Sequence, residues 1–121
     1  MNELGINELN KGRVLSKDCP SRLILNHLTS RWGVLVMIVL KDGTKRFSEI
    51  RREIEGISER MLTETLKQLE TDGMLIRKSY NTVPPHTDYT LTEYGMQAGQ
   101  KLYELVDWLE NNLGGILASQ N

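Results

Sequence analysis

The sequence predicts one mainly α-helical domain of the α+β class with a small β-hairpin. Three observations carry this expectation. Apolar residues recur at helical spacing over most of the chain, the period becomes strand-like only between Leu75 and Leu91, and Gly43, Gly56 and Gly73 close successive segments. A length of 121 residues fits a single domain, and 39% apolar with 26% charged residues is an ordinary globular balance.

Residues 1–18 are polar with sparse apolar positions (Leu4, Ile6, Leu9, Val14, Leu15) and read as a loose arm or a short helix. Cys19-Pro20 opens the first helix, since proline fits the first turn, where its missing N–H is not needed. Leu23, Ile24, His27 and Leu28 share one face of it. Arg31-Trp32-Gly33 interrupts, and Trp32 to Leu40 is apolar nearly all round, as in a helix covered on every side. Lys41-Asp42-Gly43 stops that helix, and Lys45-Arg46-Phe47 is a short link or small strand.

Phe47, Ile50, Ile54 and Ile57 mark a third helix interrupted at Gly56. Ser58 suits the N-cap of a fourth, running to about Thr71, with Leu62, Leu66 and Leu69 as its buried stripe. At about 100° per residue, Arg60, Glu64 and Lys67 point away from that stripe, with Thr63 to one side. Leu75 to Tyr80 and Thr87 to Leu91 form the hairpin, stiffened at its tip by Pro84-Pro85. Thr92 caps a last helix whose Leu102, Leu105, Val106, Leu109 and Leu113 form a stripe, joined by Trp108, Ile116 and Leu117. A small domain has few neighbours to cover so apolar a terminal helix. A dimer seam is preferred over core packing.

The order of four helices, hairpin and helix contains a helix-turn-helix followed by a wing. One helix of such a plan enters the major groove, while the hairpin reaches the neighbouring backbone or minor groove. The candidate DNA-binding residues are Ser58, Arg60, Thr63, Glu64 and Lys67 on the second helix of the pair, with Arg46 and Arg51 before it. Arg77, Lys78 and His86 on the wing complete the set. Arginine can bond guanine twice, and Ser58 and Thr63 can bond a phosphate or a base edge. Ser58 sits where free helical N–H groups favour an anion. Glu64 is the dissenting charge: it repels phosphate unless it accepts from a cytosine amino group or neutralises an arginine.

Charge sets limits on this reading. Fifteen basic and sixteen acidic residues give a net charge of −1, which excludes attraction to nucleic acid by bulk charge alone. The distribution is uneven: residues 1–40 carry +2, residues 92–121 carry −3, and the middle groups its cations as Lys45-Arg46, Arg51-Arg52, Arg60, Lys67 and Arg77-Lys78. Such clusters build a local basic face if the anions point elsewhere. A solvated, salt-bridged surface is the alternative.

These motifs resemble the HxlR-type winged-helix transcriptional regulators. The likeness is carried by Cys19-Pro20, Ser30-Arg31-Trp32, Arg46-Phe47-Ser48-Glu49-Ile50-Arg51-Arg52 and Gly56-Ile57-Ser58-Glu59-Arg60-Met61-Leu62-Thr63. Leu69-Glu70-Thr71-Asp72-Gly73 and Val83-Pro84-Pro85-His86-Thr87-Asp88-Tyr89-Thr90-Leu91-Thr92 extend it, so it covers roughly Cys19 to Trp108. Ser30 stands where the family pattern often has glycine. The resemblance implies a bacterial homodimer that binds a short inverted repeat in double-stranded DNA, with both terminal regions in the dimer. On that basis residues 1–18 are an N-terminal arm and dimer contact, 19–92 the DNA-binding core, and 93–121 a dimerisation helix.

Cys19, the single cysteine, precedes a helix start beside Lys17 and Arg22, a setting that favours the thiolate, while Asp18 opposes it. The resemblance implies sensing of an oxidant or small electrophile at this position. A small buried apolar residue is the alternative. One cysteine cannot close a disulfide within its own chain, but it can bridge to a second subunit or be capped by a small thiol. His27 reads as a hydrogen-bonded core residue. His86, at the hairpin tip, is either a phosphate or minor-groove contact or an exposed turn residue. Trp32 reads as core, with a cation–ring stack on Arg31 as the alternative.

One cysteine and two separated histidines make no metal site, and neither a Gly-rich phosphate loop nor an acid–base pair is present, so neither cofactor nor enzymatic activity is expected. A winged-helix protein-interaction module without sequence-specific DNA binding is the competing function. Val34 to Leu40, the longest apolar run, is far short of the roughly 20 residues that span a bilayer. With no charged-then-apolar signal at the start, the expected compartment is the cytoplasm and no membrane partner is expected.

Overall fold

The computed structural model describes residues 11–120, so residues 1–10 of the expected arm lie outside it. The element order is α1 (Pro20–Leu28), α2 (Arg31–Lys41), β1 (Lys45–Arg46), α3 (Phe47–Glu53), α4 (Glu59–Thr71), β2 (Leu75–Tyr80), β3 (His86–Leu91) and α5 (Glu93–Ala118). The expected α+β architecture is present, with the hairpin enlarged to a three-stranded antiparallel sheet ordered β1-β3-β2. Lys45 pairs with Tyr89 and Arg46 with Asp88, while β2 pairs with β3 from Leu75–Leu91 to Tyr80–His86. Two paired residues are too few for an alternating pattern, so β1 carries no periodic signal in the sequence.

Side chains from both layers form one core. Val36, Met37 and Leu40 of α2 are fully buried against Ile50 of α3 and Leu62, Leu66 and Leu69 of α4, and Leu75, Tyr89 and Leu91 close the sheet side. α2 is not covered all round, because one side of it faces outward at Leu35. No residue of α1 is fully buried, and Leu23 is 57% exposed. The interruption between these helices falls at Thr29-Ser30. Ser30 caps α2 by accepting from the Gly33 amide at 3.1 Å, so Trp32 lies inside the helix, half-buried against the core, with the Arg31 guanidinium 4.8 Å from its ring.

α3 ends at Glu53, before Gly56. Ile54 turns extended and Gly56 adopts φ 90°, so Ile54 and Ile57 both reach the core from a turn whose spacing imitates a helix. Glu49 accepts from the Arg46 amide at 2.9 Å, which holds the start of α3 against β1. Thr92 joins two elements: its hydroxyl donates to the Gly73 carbonyl at 2.6 Å and accepts from the Gly95 amide at 3.1 Å. α5 then packs along α2 and the end of the sheet, where Gly95 lies against the Met74 carbonyl and Gly99 against Met37 and Leu91. Its 26 residues run about 39 Å. Beyond Leu102 most of it is exposed, including Leu105 at 60% and Trp108 at 57%. Among the described residues no single helix is long and apolar enough to cross a membrane.

Candidate nucleic-acid interface

α4 divides cleanly between core and solvent. Leu62, Thr65, Leu66 and Leu69 are buried, while Arg60, Thr63, Glu64 and Lys67 are exposed and line a shallow hollow with Glu59. The core stripe therefore holds the helix rigidly with its polar face outward. Ser58 caps it, its Oγ accepting from the Met61 amide at 3.1 Å, so this oxygen is occupied in stabilising the helix and its hydroxyl proton remains free to donate. The Thr63 hydroxyl donates to the Glu59 carbonyl at 2.9 Å, which commits its proton and leaves its oxygen able to accept.

The cations before α4 fall into distinct settings. The Arg51 guanidinium is 3.8 Å from the Glu59 carboxylate, a tie between α3 and the first turn of α4. Arg51, Arg52, Phe47, Ser48 and Glu59 line a cleft of about 530 Å³ between the two helices. Arg52 and Ser48 are additions to the candidate set. In the sequence Arg52 is only half of a basic pair and Ser48 only a first-turn serine, and neither position identifies a cleft. Lys45 is engaged at 3.2 Å with Glu53. Arg46 and Ser48 share a second hollow with Pro85, His86 and Thr87, between the start of α3 and the wing tip.

The wing separates the two cations that the sequence presents as a pair. Successive residues of a strand point to opposite faces. Arg77 lies opposite Tyr89 and shares a hollow with Thr63, Lys67 and Glu70, so it faces α4. Lys78 lies on the other face, its ammonium 5.1 Å from the Tyr80 ring. His86 is half-buried: its ring stacks on Tyr80 at 4.6 Å, and its nitrogens lie 3.7 Å from Asp88 and 3.4 Å from Thr82. Adjoining hollows thus link Arg51 and Arg52 through Glu59 to Arg60 and Lys67, and Lys67 to Arg77, whereas Arg46 and Lys78, both in register with Asp88, share the other face of the sheet.

Cys19 lies at the opposite end of α1 from His27 and is half-exposed. The segment before it folds back, so that the Arg13 amide donates to Sγ at 3.2 Å and the Ser21 hydroxyl at 3.1 Å. The Arg13 amide first, then the hydroxyl and amide of Ser21, hold the Cys19 thiol below its usual range, because each stabilises the thiolate. Arg22 anchors the segment by donating to the carbonyls of Val14 and Leu15 at 3.0 and 2.7 Å. His27 is bonded as expected, its Nδ1 2.6 Å from an Asp72 oxygen. Among the described residues no three histidine, cysteine or carboxylate side chains gather as a metal site.

Comparison with known proteins agrees with this arrangement. The family model described as HxlR-like helix-turn-helix matches residues 27–116. The HTH-type transcriptional regulator YtfH of Escherichia coli is 50% identical over 111 residues, covering 92% of this chain and 88% of its own length. The structure of the regulator ytfH from Salmonella typhimurium superposes with a TM-score of 0.84 at 51% identity, covering 89% of this chain and 96% of that one. The redox regulator HypR in its reduced form superposes with a TM-score of 0.73 at 34% identity, covering 82% of this chain and 98% of that one. A core-anchored helix with a polar outward face, a wing beside it and these relatives lead to one conclusion: the chain belongs to the HxlR-like helix-turn-helix family of DNA-binding transcriptional regulators.

Proposed function

We propose that the protein binds an inverted-repeat operator as a homodimer, each copy placing α4 in the major groove. The outward face of α4 carries this reading, because Arg60, Thr63, Glu64 and Lys67 are all exposed while the opposite stripe is sealed in the core. Arg60 reads a guanine edge, and Lys67, Arg51, Arg46 and Arg77 balance phosphate charge. The exposed apolar side chains in the far half of α5 support pairing of two copies, which would set their α4 helices about one duplex turn, roughly 34 Å, apart.

Cys19 is proposed as the sensing group. Its favoured thiolate supports this, as does the similarity to a redox regulator. Attack of the thiolate on an electrophile, or its oxidation to a mixed disulfide, would remove the acceptor that organises residues 13–21. Duplex DNA from upstream of the protein's own gene tests the reading in an anisotropy titration at several salt concentrations. Tight binding that Arg60→Ala weakens selectively against scrambled DNA supports it. Equal affinity of wild type and Arg60→Ala for both DNAs overturns it. A Cys19→Ser protein that still releases DNA fully on diamide treatment removes the sensing role.

A further inference from the structure

We infer that Glu64 is a specificity residue that selects cytosine in each half-site, an inference that rests on α4 lying in the major groove. The residue stands in the middle of the outward face, one turn after Arg60 and one turn before Lys67, and is exposed. Among the described residues it takes part in neither an ion pair nor a side-chain hydrogen bond, although cations flank it at both helical neighbours. The other carboxylate lining the hollow, Glu59, is by contrast placed against Arg51 at 3.8 Å. The arginine that balances Glu59 is thus engaged, and Glu64 keeps its full acceptor capacity facing outward.

A carboxylate accepts hydrogen bonds and donates none. It cannot bond a phosphate, and against guanine or thymine edges it meets only acceptors or a methyl group. Two bases offer a donor in the major groove: adenine through N6, beside its own N7 acceptor, and cytosine through N4, with no acceptor on the same base. A carboxylate that meets N6 of adenine also brings oxygen lone pairs towards N7 of the same base, whereas cytosine itself presents only the amino group. Cytosine is therefore the base that Glu64 fits.

Its neighbours leave its acceptor capacity intact. The Thr63 hydroxyl proton is committed to the Glu59 carbonyl, so Thr63 does not donate to Glu64. Arg60, four residues earlier, lies about 6 Å along the helix, which is roughly two base steps. A guanine read by Arg60 and a cytosine read by Glu64 are then separate determinants within one half-site.

The test is selection of bound duplexes from a random-sequence library by the full-length protein and by its Glu64→Gln and Glu64→Ala variants. Glu64 is exposed with no described partner, so both variants should keep the fold, which circular dichroism checks. The wild type should enrich cytosine at one position per half-site, and replacing that base should weaken binding roughly tenfold. Glu64→Gln should shift the position towards adenine, whose N6 and N7 match an amide, and Glu64→Ala should lose the preference there while keeping the others. A selected sequence that stays the same in all three proteins overturns the assignment. So does a uniform rise in affinity of Glu64→Ala for every DNA, which would make Glu64 only a repulsive charge. A wild type that enriches no sequence overturns the groove-binding reading itself, a result distinct from either.

Discussion

His27 of α1 and Asp72 at the C-terminal cap of α4 meet at 2.6 Å across 45 residues of sequence, tying the Cys19-bearing helix to the end of the helix that presents Arg60. The Asp72 side chain is 7% exposed and that of His27 21%, so loss of either partner leaves a poorly solvated polar group. His27→Ala and Asp72→Ala should each cost about 1–3 kcal/mol in urea unfolding, and the double variant should cost less than the sum. Additive losses would show that the two side chains do not interact in solution.

Gly95 has no room for a side chain. A Cβ there would collide with the Met74 carbonyl oxygen, which is backbone and cannot rotate away. Gly95→Ala should lower stability by about 1–3 kcal/mol or displace α5 from the sheet. Gly114, whose Cβ would meet nothing within 4 Å, is the matched control, and Gly114→Ala should be neutral or stabilising through helix propensity. Thermal unfolding of the two variants compares them directly.

The far half of α5 exposes several apolar side chains, with Leu109 and Leu113 one turn apart. If this face pairs two copies, Leu109→Glu or Leu113→Glu should weaken dimerisation roughly thirtyfold or more without unfolding the monomer. Sedimentation equilibrium reads the first quantity and circular dichroism the second. Unchanged association in both variants would place the dimer contact elsewhere.

Arg77 and Lys78 provide a test within one strand. Arg77 faces the hollow beside α4 and Lys78 the opposite face. Arg77→Ala should weaken binding to specific and scrambled DNA alike and reduce the slope of log affinity against log salt by about one. Lys78→Ala should change that slope less.

The lowered pKa of Cys19 has a definite sign in solution. Its thiolate fraction rises at lower pH than that of an ordinary cysteine, so the midpoint of its alkylation rate against pH should fall below about 8.5. Ser21→Ala removes one donor to Sγ and should move that midpoint upward. A midpoint at or above the ordinary range would show that the fold of residues 13–21 does not hold the thiolate.

Legibility of the sequence followed the range of each interaction. Ser58, Thr92, Gly56 and Gly73 act on their immediate neighbours, so the ends of α4 and α5 were readable from single residues. The outward set of Arg60, Glu64 and Lys67 followed from helical period alone. The end of α3 was not readable, because Ile54 and Ile57 keep helical spacing while the backbone leaves the helix. Strand β1 was legible only as one of two alternatives, and the pairing of His27 with Asp72 was hidden, because both depend on partners more than 40 residues away. The opposite faces of Arg77 and Lys78 were implicit in the two-residue period of a strand, yet which face turns towards α4 needed the fold.

The central place of β3 has a consequence for the wing. Because it bonds β1 on one side and β2 on the other, the base of the wing and the entrance to α3 move as one plate. Lengthening or shortening residues 81–85 then changes only how far the tip extends, leaving the phase between its contacts and those of the helix pair untouched. Under the proposed reading, the span of duplex that the wing meets would be set by a five-residue loop, while the paired strands hold the helix pair in place.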